Sequence, residues 1–203
     1  TILGNDEELD WFREQIKGNF EIKVKARLGP DSSDDKSVRI LNRVVYWTSE
    51  GIRYEPDQRH AKIICKQLGV EKKGRNVATP GTKEGKEDHN EDEELDSEKG
   101  IMYRAATARA NFLGQDRFDI KYAVKELSRR MSAPRNRDMR KLIRLAKYLL
   151  GRERFIVDFD YQDFTKRVDV WTDTDYAGCR DTRRSSSGGL IRLGQHLSLI
   201  HIS

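Results

Sequence analysis

The feature that most limits how this chain can fold is an acidic run at residues 81–99. It holds nine Asp and Glu residues against three lysines, and Leu95 is its one large apolar residue. Such a segment buries too little apolar surface to offset the entropy lost on ordering, so the sequence predicts a disordered linker or loop. The chain is therefore expected to fold as one part before this run and another after it.

Composition sets broad limits on the partners of the chain. Charged residues make up 36% of the 203 positions, and the formal net charge of +5 suits a polyanionic partner. Cys65 and Cys179 lie far apart and provide neither a disulfide framework nor a zinc-ligand spacing, which fits a reducing, intracellular compartment. The sequence shows no signal-peptide pattern and no apolar run of about 18 residues, so no membrane span is expected.

Helical and strand patterns both occur before the acidic run. Three local signals indicate these elements: acidic residues at a helix start, apolar residues on one helix face, and strict alternation of apolar and polar residues in a strand. In chain order, they predict a helix at 6–20, a strand at 21–28, strands at about 38–47 and 52–54, and a helix from Pro56 to about Gly69.

Three helices are predicted after the acidic run, at about 101–113, 119–131 and 137–150. Between Lys125 and Arg154, eleven basic residues stand against three acidic ones, a net charge of +8. Because the apolar faces of these helices are committed to packing, the bases are expected to point outward and bind a phosphate backbone. The alternative is a solvated helix surface without a ligand. The candidate nucleic-acid-binding residues are Arg129, Arg130, Arg137, Arg140, Arg144 and Lys147.

Two carboxylates end a β-prone run that begins at Val168. Asp173 and Asp175 follow the predicted strand, and Gly178 turns the chain soon after. Carboxylates at a strand end are costly to bury without a cation, and Mg²⁺ prefers hard oxygen ligands. The alternative is an ordinary turn with two solvated acids. Further strands are predicted at 155–159 and 185–193.

The region around Asp173 resembles the opening of the RNase H domain in copia-type retrotransposon polyproteins. The resemblance rests on a strand end, a basic turn and the start of a second strand, with the matching residues Thr172, Asp173, Asp175, Tyr176, Ala177, Gly178, Asp181, Arg183, Arg184, Ser185, Ser187 and Gly188. The helical region is similar to the same family at Tyr103-Arg104, Phe112-Leu113, Arg117, Asp119-Ile120, Tyr122 to Val124, Leu127 to Arg129, Met131-Ser132, Pro134 and Tyr148-Leu149.

The first part of the chain also resembles this family, at the end of its reverse transcriptase palm and the start of its thumb. The segments that carry the resemblance are Thr1 to Gly4, Phe20 to Val24, Leu28-Gly29, Glu50 to Ile52 and Gln58 to Ile64. Ile40, Leu41 and Asn42 stand where the family usually has the Phe-Leu-Gly that holds the primer end.

The resemblance implies an α+β fold with four successive regions. It places the end of the palm and the thumb at 1–80, the acidic linker at 81–99, a basic helical connection at 100–153 and the start of an RNase H-like domain at 154–196. Residues 197–203 do not look like the family's continuation and are expected to be a non-native tail.

The resemblance implies that the chain is a fragment of a Pol polyprotein. The whole polyprotein copies element RNA into DNA and degrades the RNA strand of the hybrid. Asp173 would be the first carboxylate of a cluster that holds two Mg²⁺ ions about 4 Å apart. The family's other essential carboxylates are expected outside this sequence, so the fragment would lack complete active sites.

The partners implied by the resemblance are an RNA–DNA hybrid or duplex nucleic acid and the rest of the Pol polyprotein, in a cytoplasmic particle or the nucleus. The alternatives are a non-catalytic nucleic-acid-binding remnant of such an element and an inactive pseudogene product.

Overall fold

The computed structural model describes residues 2–71, 77–82, 93–178 and 182–202. These residues form helices and two antiparallel sheets, which confirms the predicted α+β class. The helices are α1 (Asp6–Asn19), α2 (Arg59–Gln67), α3 (Ser97–Leu113), α4 (Lys121–Ser128) and α5 (Asn136–Gly151). The strands are β1 (Ser37–Ile40), β2 (Arg43–Trp47), β3 (Gly51–Glu55), β4 (Val157–Asp160), β5 (Val168–Asp175), β6 (Ser186–Leu193) and β7 (His196–Ile202).

The first sheet has the strand order β1-β2-β3-β4, and all its neighbours are antiparallel. The predicted strand at 38–47 is in fact two strands, because the chain reverses at Leu41 and Asn42. Both residues have positive φ, 49° and 64°, as the turn of a two-residue hairpin requires. The fourth strand comes from far along the chain, since Tyr54 of β3 pairs with Val157 of β4.

The strand predicted at 21–28 does not form, and this prediction is wrong. Within the described residues, this segment has no ladder partner apart from an isolated bridge between Leu28 and Asp35. Its apolar side chains Ile22 and Val24 are exposed. Alternation predicts which faces a strand would present, but a strand also needs a neighbour to take its backbone hydrogen bonds.

The second sheet is a meander of β5, β6 and β7. The strands predicted around Val168 and at 185–193 are confirmed as β5 and β6. Most of the segment predicted as a non-native tail lies in β7, which pairs with β6. Residues 179–181, which include Asp181 of the resemblance, lie outside the described residues.

One apolar core joins helices from both sides of the acidic run. Ile64 and Cys65 of α2 lie in the same buried cluster as Tyr103 of α3 and Leu145 of α5. Residues 83–92 lie outside the described part of the chain, whereas residues 97–99 already form the first turn of α3. The core therefore spans both sides of the run that the sequence suggested as a boundary.

Candidate nucleic-acid interface

Helix α5 has one buried face and one basic face. Its buried residues include Leu142, Leu145, Ala146 and Leu149. On the opposite side, Arg140 and Lys147 are exposed, and Arg144 between them is half-buried. The Nη2 of Arg144 donates to the Oγ1 of Thr79 at 2.9 Å. The structure thus places three of the predicted binding residues on one outward stripe.

Arg137 does not belong to this outward face, and the prediction that it points outward is wrong. It lies in the first turn of α5 and is 6% exposed. At this end of the helix, the N–H of Asn136 donates to the Glu93 carbonyl at 3.1 Å, and the N–H of Leu95 donates to the Pro134 carbonyl at 2.9 Å. Helical periodicity assigns a side to Arg137, but it does not reveal that another chain segment meets the helix there.

Arg129 and Arg130 follow the last turn of α4. Arg129 is exposed, and its Nη1 lies 3.2 Å from the Oε1 of Glu126, while Arg130 is half-buried. A partly exposed ion pair of this kind contributes little to stability. Glu126 nevertheless offsets part of the local positive charge.

Some of the eleven bases serve the fold instead of a binding surface. The Nη2 of Arg154 lies 2.9 Å from the Oε2 of Glu55, and this guanidinium holds the pKa of Glu55 below its usual range. The pair connects the segment that follows α5 to the last residue of β3. The guanidinium of Arg152 lies over the Tyr148 ring, 5.3 Å from its centroid. Only part of the +8 stretch is thus available to a ligand.

Lys121 and Lys125 of α4 are not among the six candidate binding residues predicted from the sequence, although Lys125 begins the basic stretch. Lys121 and Lys125 lie four residues apart, and Arg129 continues the same spacing. Residues at this spacing share one face of a helix, so the three cations form a row. The spacing was the signal that would have found them.

Asp173 lies near the end of β5 and is exposed, opposite Gly188 of β6. Asp175 lies two residues on, so both side chains point to the same face of the strand. A side chain at Gly178 would collide with the Asp175 carboxylate, so the turn packs closely against that acid. The described residues contain no cluster of three or more metal-ligating side chains, so by themselves they do not fit a two-metal site.

Comparisons with known proteins agree with the resemblance. Over 94 residues, or 46% of the chain, the sequence is 32% identical to a retrovirus-related Pol polyprotein from an Arabidopsis thaliana transposon. The chain is similar to a transposon Pol polyprotein. Over 92 residues, it is also 33% identical to an uncharacterized mitochondrial protein of the same plant.

These relatives are longer than the matched segment. The chain spans 6% of the Pol polyprotein and 38% of the mitochondrial protein. The two similarities support a retrotransposon-derived protein. No protein-family model matches the chain, and no solved structure matches it. Among the described helices, none combines the length and the apolar character needed to cross a membrane.

Proposed function

We propose that this chain is part of the reverse transcriptase and RNase H region of a copia-type Pol protein, and that it binds duplex nucleic acid through α5. The outward stripe of Arg140, Arg144 and Lys147 carries the proposal, because the opposite face of the same helix is fully committed to the core. The helix cannot rotate to hide these charges without exposing its apolar face. Similarity to a Pol polyprotein supports the same proposal.

The ligand contacts of this stripe are with phosphates, not with bases. Arg and Lys side chains on a helix surface neutralise backbone charge and release counterions, which gives affinity without sequence preference. An RNA–DNA hybrid or duplex RNA suits such a surface, because A-like helices offer little base readout to side chains. Binding is therefore expected to weaken steeply as salt concentration rises.

The experiment compares Arg140→Gln/Lys147→Gln with Lys62→Gln/Lys66→Gln, two exposed lysines on α2. Both double variants lower the net charge by two, so only position differs. Fluorescence anisotropy with an RNA–DNA hybrid at several salt concentrations is the measurement. The α5 variant should bind more weakly, with a salt slope smaller by about 1 for each lost contact. The α2 variant should retain the parent slope.

Equal weakening by the two double variants would contradict the proposal, since binding would then follow net charge instead of the α5 stripe. Binding by the α5 variant with the parent's affinity and salt slope would also contradict it. In that case the stripe is a solvated surface.

The enzyme and the non-catalytic remnant differ in what they do with a bound hybrid. We propose Asp173 as a metal-binding carboxylate of a hybrid-cleaving site, supported by its exposed place at the end of β5 beside Asp175. Cleavage of a labelled hybrid in Mg²⁺ by the parent chain, lost in Asp173→Asn while binding persists, would favour the enzyme. Binding without cleavage by this chain alone is expected from both, because its described residues by themselves do not fit a two-metal site.

A further inference from the structure

A cavity lies between α3 and α4 and has a volume of about 550 Å³. Its polar lining residues are Asn111, Gln115, Lys121, Lys125, Ser128 and Arg129. Two of the lining lysines also contact the second sheet, because the Nζ of Lys125 donates to the Oγ of Ser186 at 2.7 Å and the Nζ of Lys121 contacts the Ile200 carbonyl. Its size falls in the range of small-ligand sites, roughly 300–1,000 Å³.

The charge of the cavity wall is mainly positive. Lys121, Lys125 and Arg129 lie along one side at intervals of four residues. Glu126 opposes them, with its Oε1 3.8 Å from the Nζ of Lys125 and 3.2 Å from the Nη1 of Arg129. Three cations against one carboxylate leave a net attraction for an anion.

The remaining polar groups of the wall can donate hydrogen bonds. Asn111 in the last turn of α3 and Gln115 in the turn that follows it present side-chain amides. The hydroxyl oxygen of Ser128 is buried and has no hydrogen-bond partner in the described part of the chain. A buried hydroxyl without a partner is costly, so an acceptor atom from a ligand would stabilise it.

We infer that this cavity binds phosphate groups of one nucleic-acid strand. Cations, amides and a hydroxyl match the acceptor oxygens of a phosphodiester, and the lining within the described residues includes no aromatic ring on which a base would stack. The strand is thus held by its backbone and not by its sequence. The inference rests on the proposed function for the kind of ligand, but it uses a surface other than the α5 stripe.

The cavity lies close to the strand end that carries the candidate carboxylates. Ser186, which accepts from Lys125, is paired with Asp175 across the β5–β6 ladder, and Gly188 is paired with Asp173. One lysine of the cavity wall therefore contacts the residue that pairs with Asp175. The cavity positions the strand, and no chemical step is assigned to it.

The competing explanation is that the two lysines only fasten the second sheet to α4. Their contacts with Ser186 and Ile200 serve that purpose already. The two explanations differ in the role of α3, because Asn111 and Gln115 line the cavity from the other side. Acidic substitutions at Asn111 and Gln115 therefore test phosphate binding without removing either lysine.

The experiment uses four double variants of the whole chain that each lower the net charge by two. They are Lys121→Gln/Lys125→Gln, Asn111→Asp/Gln115→Glu, the α2 control Lys62→Gln/Lys66→Gln and the α5 variant Arg140→Gln/Lys147→Gln. Fluorescence anisotropy measures binding of a mixed-sequence single-stranded oligonucleotide and of a hybrid over a range of salt. Thermal unfolding without nucleic acid reports the stability of each variant.

Both cavity variants are expected to bind the single strand at least about fivefold more weakly than the α2 control. The lysine variant should also lower the salt slope by about 0.7 for each lost contact with a single strand. Control-like binding by Asn111→Asp/Gln115→Glu would overturn the inference, even where the lysine variant has lost stability. If the α5 variant still binds hybrid weakly in that case, the proposed function stands and the cavity inference alone fails.

Discussion

Asp138 shows how one buried acid can sit in a strongly basic helix. It lies in the first turn of α5 and is 1% exposed, and its Oδ2 accepts the backbone N–H of Arg135 at 3.0 Å. Burial raises the pKa of Asp138, although that hydrogen bond and the nearby charges of Lys141 and Arg137 act in the opposite direction. The ionised form is therefore less stable in the folded chain than in the unfolded one.

Asp138→Asn is expected to stabilise the protein near neutral pH. The pKa of Asp138 in the folded protein lies above its unfolded value of about 3.9. The parent protein therefore loses stability as pH rises from the unfolded pKa through the folded pKa of Asp138. Asn does not titrate and keeps an acceptor for the Arg135 N–H. The gain in melting temperature should be present at pH 7 and vanish below about pH 3.9. Asp138→Ala, which removes the acceptor, is the control, and its gain in melting temperature should be smaller. A difference in melting temperature between the parent and the Asn variant that does not change with pH would contradict the role of the Asp138 charge.

At the scale of elements, the close approach of β3 and β4 depends on one glycine. Gly51 pairs with Asp160, and a Cβ built on Gly51 would lie 2.7 Å from the Asp160 Cα. Two strands this close leave no room for a side chain, so the first sheet can accept β4 only with glycine at this position. The pairing joins segments separated by about a hundred residues of sequence.

Gly51→Ala is expected to lower the free energy of unfolding by about 1–3 kcal/mol, since an added methyl group must push the strands apart. Gly189→Ala on β6 is the matched control, because its Cβ would meet the nearest atom, the Trp171 carbonyl oxygen, at 4.0 Å. Urea unfolding of both variants is the measurement. A loss of stability for Gly189→Ala as large as that for Gly51→Ala would show that close packing is not the cause.

At the scale of the whole molecule, α2 is bound into the same core as the helices after the acidic run. Ile64 is fully buried, and the Sγ of Cys65 lies 3.3 Å from the Ala146 carbonyl of α5. Burial raises the pKa of the Cys65 thiol, which keeps it protonated and unreactive near neutral pH. Helix α2 and helix α5 should therefore unfold together.

Ile64→Ala is expected to lower the free energy of unfolding by about 2–5 kcal/mol, because it leaves a cavity in this shared core. Hydrogen exchange should speed up in α2 and in α5 by similar factors. Ile63→Ala is the control, since Ile63 is 40% exposed and its truncation should change stability by less than about 1 kcal/mol. Faster exchange confined to α2 would mean that the two sides of the acidic run are independent.

The sequence by itself determined the elements whose signals are local. Acidic residues at the start of α1, apolar periodicity in α4 and α5, and alternation in β5 each act over a few residues, so these elements lie close to their predicted positions. The basic stripe of α5 followed from the same periodicity. Asp173 was likewise found at the strand end that the sequence indicated.

Only the tertiary structure decided which segments meet. Residues 21–28 alternate as a strand does, yet no neighbouring strand in the described part of the chain pairs with them. Tyr54 pairs with Val157, Arg137 is buried beside a segment from before α3, and Lys125 of α4 contacts Ser186 of β6. The physical reason is the same in each case: hydrogen-bond partners and burial depend on residues distant in sequence, which no local pattern specifies.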